Sequence, residues 1–202
     1  MRVSRPNIGK TGPVSAPPEL PDIVTRAFDV SRRAGYVSFC RNETGRLLAT
    51  LAATRSGTMA EFGTGCGVGT AWLRSGVRGK AAQIVSAELD EHLAKEAAEI
   101  FADDAQVEVI AADWGILRDR GPFALLFLDA ETPGGVSPDQ LSDLVEEGGI
   151  VVIDDLIPTD LWPPIVYGRV DSLRESWLTD ERFTTVEVMV AADTSVLLAT
   201  KR

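Results

Sequence analysis

Ala60-Glu61-Phe62-Gly63-Thr64-Gly65-Cys66-Gly67-Val68-Gly69-Thr70 is the stretch on which the reading of this chain turns. Thr58 to Phe62 reads as a short buried strand, and the alternating glycines after it as a tight turn feeding a helix that begins near Val68. Glycine lets the backbone take positive φ and lets a ligand approach closely. Strand, glycine turn and helix make up the nucleotide-binding half of a doubly wound sheet. The dinucleotide spacing G-x-G-x-x-G fails in both frames, because Val68 or Thr70 falls where the third glycine belongs. No P-loop lysine follows. Glu61 instead puts a carboxylate at the strand end, which repels a pyrophosphate and attracts an amino-acid ammonium.

Outward from this loop the pattern is α/β. Helices are expected over Asp22–Ala34 and Thr44–Ala53, the second with Leu47, Leu48 and Leu51 on one face. Gln83–Glu88 reads as a strand, and Glu91–Ala102 as a helix with Leu93, Ala97, Ile100 and Phe101 in register. Val107–Ala111, Phe123–Leu128 and Gly149–Ile153 are apolar runs of the kind buried on both faces of a parallel sheet. A helix over Ser137–Glu147 separates the last two, opened by Ser137-Pro138. Asp154–Tyr167 reads as a loop and Val170–Leu178 as a helix. Phe183–Val190 and Ser195–Thr200 read as a hairpin around Ala192-Asp193-Thr194.

Composition narrows the function. A chain of 202 residues with 45% hydrophobic content can bury one core, so one domain over residues 22–202 is expected behind a flexible tail, 1–21. No apolar run reaches membrane-spanning length, and the proline-bearing start lacks the apolar core of a secretory signal. Cys40 and Cys66 are too few for a disulfide framework and lack zinc spacing, which suits the cytoplasm. A net charge of −10 argues against a nucleic-acid partner, which needs a basic footprint, and favours small-molecule chemistry. His92 is the only histidine and falls on a helix face expected to be solvated, so no nucleophilic triad is built around it.

The run Glu61-Phe62-Gly63-Thr64-Gly65-Cys66-Gly67 resembles motif I, E-x-G-x-G-x-G, of class I S-adenosylmethionine (SAM) methyltransferases. That resemblance implies a Rossmann-like seven-stranded sheet of order 3-2-1-4-5-7-6 with a terminal antiparallel hairpin. It also implies SAM as cofactor, cradled by Glu61, Gly63, Gly65 and Gly67. Glu88 stands 25 residues after Gly63, where a carboxylate can accept from both hydroxyls of an adenosine ribose, although the same position suits NAD. In the resembled family this residue binds the SAM ribose, and the residue matching Asp113 contacts the adenine amino group. Trp114 is placed to lie along the adenine face. Helix N-caps for Glu88 and Asp113 and core packing for Trp114 are the alternatives.

Acidic residues close the later strands as well. Asp129-Ala130-Glu131 and Ile153-Asp154-Asp155 converge if the strands they end are neighbours. Two charges about 4 Å apart repel by roughly 4 kcal/mol at an effective dielectric near 20, so a shared cation is expected. Oxygen-only ligands suit a hard ion such as Mg²⁺. The spacing resembles the catechol and caffeoyl-CoA type O-methyltransferases, whose metal site is an Asp closing the fourth strand and an Asp-Asn pair closing the fifth. By that resemblance Asp129, Asp154 and Asp155 are the metal ligands, and Asp129 is also the catalytic carboxylate. Asp155 stands where the family has Asn, and Thr132 where a lysine often serves as base. Trp162 and Tyr167 are candidates to wall an aromatic acceptor.

The expectation is a SAM-dependent O-methyltransferase acting on a small hydroxylated, catechol-like acceptor, with family resemblance suggesting a homodimer. Its rivals are a metal-independent methyltransferase, a SAM-binding protein without catalysis, and a nicotinamide dehydrogenase.

Overall fold

The structure, a computed structural model, describes residues 19–77, 82–129 and 135–202. Most of the expected tail, together with Glu131 and Thr132, lies outside the described residues.

Two helices precede the sheet, α1 (Asp22–Ala34) and α2 (Asn42–Ala52). Asp22 opens α1 while Arg32 and Arg33 close it, so the charges oppose the helix dipole. Gly35 ends it in the left-handed conformation. The chain then enters β1 (Gly57–Phe62), α3 (Val68–Gly76), β2 (Ala82–Glu88), α4 (Glu91–Ile100) and β3 (Val107–Ala111). Asp90 caps α4 by accepting from the N–H groups of His92 and Leu93. A 3-10 helix, Trp114–Arg120, leads to β4 (Phe123–Leu128), and the short α5 (Pro138–Leu141) to β5 (Val145–Leu156). After β5 come a two-stranded ribbon, β6 (Ile165–Val166) with β7 (Arg169–Val170), then α6 (Ser172–Thr179), β8 (Phe183–Ala191) and β9 (Thr194–Lys201).

The seven-stranded sheet has the order β3-β2-β1-β4-β5-β9-β8. Its first five strands are parallel, and β9 and β8 are antiparallel to their neighbours. With the separate ribbon set aside, this is the expected order and terminal hairpin. Val24, Leu48, Met59, Trp72, Leu125 and Val152 build a core on one face of the sheet. Phe62, Leu117, Phe123, Leu126, Val151 and Trp177 build another on the opposite face. That two-sided burial is why β4 is apolar at every position.

Three local readings differ. The helix expected over Ser137–Glu147 is a single α turn and a 3-10 turn, and β5 already begins at Val145. The Phe123↔Val145 and Leu125↔Ile150 pairs lie either side of a register shift that takes up Gly148 and Gly149, so sheet pairing overrides helix propensity there. The 3-10 helix after Asp113 carries no periodic signature. The loop expected after Asp154 contains the ribbon, whose turn residues Tyr167 (φ 50°) and Gly168 (φ 74°) are both left-handed, the conformation a two-residue hairpin requires.

Candidate active site

The carboxyl ends of β2, β1 and β4 are stitched together one residue beyond the strands. The Gly63 N–H donates to the Ala87 carbonyl at 3.0 Å, and the Asp129 N–H to the Phe62 carbonyl at 3.0 Å. The glycine loop and Asp129 are thus held on one rigid edge, where ligands of open α/β sheets bind.

The loop is shaped to receive a ligand. Gly63, Gly65 and Gly67 all have positive φ, and Gly67 caps α3 without any side-chain hydrogen bond. The first-turn amides of α3 are therefore not capped from that position. Glu88 closes the far side, its Oε2 accepting from the Gly65 N–H at 2.7 Å and its Oε1 from the Asp90 N–H at 2.9 Å. The carboxylate is partly exposed. It holds the loop and keeps acceptor capacity for a hydroxyl pair.

Glu61 takes a different place from the one its position at the strand end suggests. It is fully buried beneath the first turn of α3, where the Thr70 hydroxyl donates to its Oε2 and Oε1 has no partner. Gly69 is required above it, because an added Cβ would lie 1.9 Å from Oε1. Burial pushes the carboxyl up to about 8, against the lowering bonds from Thr70. Glu61 therefore underpins the loop from inside.

Asp113 is exposed and caps the 3-10 helix by accepting from the Gly115 N–H at 2.8 Å. Trp114 stacks on Phe62 at 4.7 Å, and the Arg118 guanidinium lies 5.4 Å from the centre of the indole. The expected adenine face of Trp114 is thus shared with Phe62 and Arg118.

Asp129 and Asp154 lie within electrostatic reach of one another. Burial, then the charges of Asp154, Glu61 and Asp155, raises the Asp129 carboxyl well above the usual range. Burial likewise raises Asp154 to about 6. Asp154 is not at the strand end but inside β5, with Oδ1 accepting from the Thr44 hydroxyl at 3.1 Å and Oδ2 buried without a partner. Asp155 is exposed and left-handed, φ 59°. Among the described residues no three His, Cys, Asp or Glu side chains gather as a metal site, so these three carboxylates do not fit a three-ligand cation cage.

Thr44, Cys40 and Tyr36 were not legible as site residues. Cys40 is buried with its thiol raised by burial and by Asp129 and Asp154. Tyr36 rests against Gly65. All three come from the α1–α2 region, remote in sequence, and no spacing rule marks them. Trp162 and Tyr167 both stand exposed after β5. Among the described residues, no helix is long and apolar enough to cross a membrane.

Residues 60–156, from β1 to the end of β5, match the family model of a methyltransferase domain. No curated protein sequence gives a match. Among solved structures, the O-methyltransferase from Bacillus cereus in complex with SAH is similar, with TM-score 0.72 and 17% identity over 91% of this chain and 93% of that one. The O-methyltransferase TomG from Streptomyces achromogenes, involved in tomaymycin synthesis and solved with SAM, superposes with TM-score 0.67 and 21% identity over 91% and 92%. An SAH-bound methyltransferase from Podospora anserina gives TM-score 0.71 and 18% identity over 91% and 89%. The chain therefore carries a methyltransferase-domain match over residues 60–156 and shares its fold with these methyltransferase structures.

Proposed function

We propose that this protein transfers a methyl group from SAM to a hydroxyl oxygen of a small acceptor. The observation that carries the reading is the cradle itself, in which Gly63, Gly65 and Gly67 at positive φ lie between Glu88 on one side and Asp129 on the other. SAM, when bound, supplies an electrophilic methyl on a sulfonium. Glu88 would accept from the ribose hydroxyls, and the glycine loop would face the polar amino-acid end. The protein's main contribution is to hold two reactants in line.

Asp129 is the carboxylate best situated to take the acceptor's proton. It stands at the reacting edge, and its raised affinity for a proton suits a general base better than an ordinary carboxylate would. Thr132 offers no such group. Because Thr44 engages Asp154 and Asp155 faces solvent, the proton path is assigned to Asp129 rather than to a Mg²⁺ ion. Metal assistance is the second reading, favoured by the unpartnered Oδ2 of Asp154. Catechols are the first acceptors to try, by resemblance in motif spacing, with Trp162 and Tyr167 as candidate walls.

The test is formation of SAH from SAM with a panel of small phenols, catechols and alcohols, each with Mg²⁺ and with excess chelator. Turnover in both arms supports the Asp129 route, and turnover in Mg²⁺ alone supports the metal reading. Calorimetric binding of SAH without turnover on any acceptor would favour a SAM-binding protein. Binding of NAD in place of SAH would overturn the proposal.

A further inference from the structure

Gly65 has no side chain, and the space where one would stand is filled from another part of the molecule. A Cβ added to Gly65 would lie 2.6 Å from Tyr36 Cε1, 2.8 Å from its hydroxyl oxygen and 2.9 Å from Cζ. The phenol end of Tyr36 is therefore packed on the centre of the cofactor loop. It is fixed there from α1, since Gly35 turns the chain at φ 69° and the Tyr36 N–H donates to the Ser31 carbonyl at 2.9 Å. Tyr36 is half-buried, with the carboxylates of both Asp129 and Glu88 within electrostatic reach. These two belong to the reacting edge and the ribose edge of the cradle, so the phenol is in electrostatic reach of both.

We infer that Tyr36 meets the sulfonium end of the bound cofactor and makes the site prefer the charged cofactor to its neutral demethylated product. The inference rests on the SAM reading above. A sulfonium carries positive charge close to its methyl groups, and an electron-rich aromatic ring attracts a cation within about 6 Å of its centre. Loss of the methyl removes the charge and with it the attraction, which lets the product leave. Gly65 and Tyr36 act as a pair, because any side chain at position 65 would expel the ring.

Calorimetric affinities for SAM and for SAH, measured on the wild type, Tyr36→Leu, Tyr36→Phe and Gly65→Ala, test this without recourse to turnover. Tyr36→Leu should weaken SAM by about tenfold and SAH by less than about threefold, and Tyr36→Phe should restore the preference. Gly65→Ala should reproduce the selective loss by displacing the ring, and it decides the matter if Tyr36→Leu does not fold. An unchanged SAM to SAH ratio in a folded Tyr36→Leu, or in Gly65→Ala, overturns the assignment while leaving the function proposal standing. Failure of the wild type to bind either ligand overturns both.

Discussion

The Glu88 carboxylate and the Gly65 amide are bonded at 2.7 Å, so the end of β2 holds the middle of the loop that follows β1. One side chain thereby sets the shape of the cradle. Glu88→Ala should weaken SAM and SAH alike by on the order of a hundredfold, since each charge-assisted bond is worth roughly 1.5 to 3 kcal/mol. Equal affinity in a folded variant, by calorimetry, would remove Glu88 from the site.

Glu61 predicts an unusual pH dependence of stability. Its folded carboxyl is raised from 4.5 to about 8, so the folded state holds the proton more tightly than the unfolded state. The stabilisation is present below the lower value and is lost as pH rises through the upper one. Glu61→Gln should flatten the thermal midpoint across this window and gain on the wild type at its alkaline end. Parallel midpoint profiles would show that Glu61 does not ionise there.

Thr44→Val should cost roughly 1 to 3 kcal/mol by taking the hydroxyl from a buried carboxylate. Asp154 already titrates near 6, above its ordinary 3.8, so its contribution falls as pH rises between these values. Losing the Thr44 bond raises it further, and the penalty should be larger above this window than below it. Denaturant unfolding at one pH on each side tests the difference, and equal penalties would mean that Asp154 keeps one charge state throughout.

Arg174 is buried within α6 and donates from Nη1 to the Ile157 carbonyl at 2.9 Å and to Glu187 Oε1 at 3.2 Å, while Nε pairs with Asp171 at 3.2 Å. It fastens the segment after β5 to β8. Arg174→Met leaves two partly buried carboxylates unpaired and should cost about 3 kcal/mol, a fall of roughly 6 to 12 °C in thermal midpoint. A shift under about 2 °C would show that solvent already screens the pair.

What the sequence determined by itself is the scaffold and the position of the cradle. The strands at 58–62, 83–88, 107–111 and 123–128 and the glycine turn after the first were legible as an α/β pattern, and the order of the sheet followed from the resemblance of the glycine loop to motif I. The acidic residue at the end of β2 follows from that alternation, because strand ends lie at one edge wherever connections are helical. The terminal hairpin was legible for the same reason, as two β-rich runs around Ala192 and Asp193. Tertiary structure alone decided how the carboxylates are used. Spacing suggests that Glu61, Asp129, Asp154 and Asp155 all close strands, but β5 runs on past Asp154, and spacing does not say which way each side chain turns. Thr44 engages Asp154 across 110 positions of sequence, and Thr70 draws Glu61 under α3. Tyr36 fills the room that Gly65 leaves. Each of these contacts joins the helices that precede the sheet, or the helix after the loop, to the strand ends, and no local periodicity encodes a partner that packing brings from elsewhere.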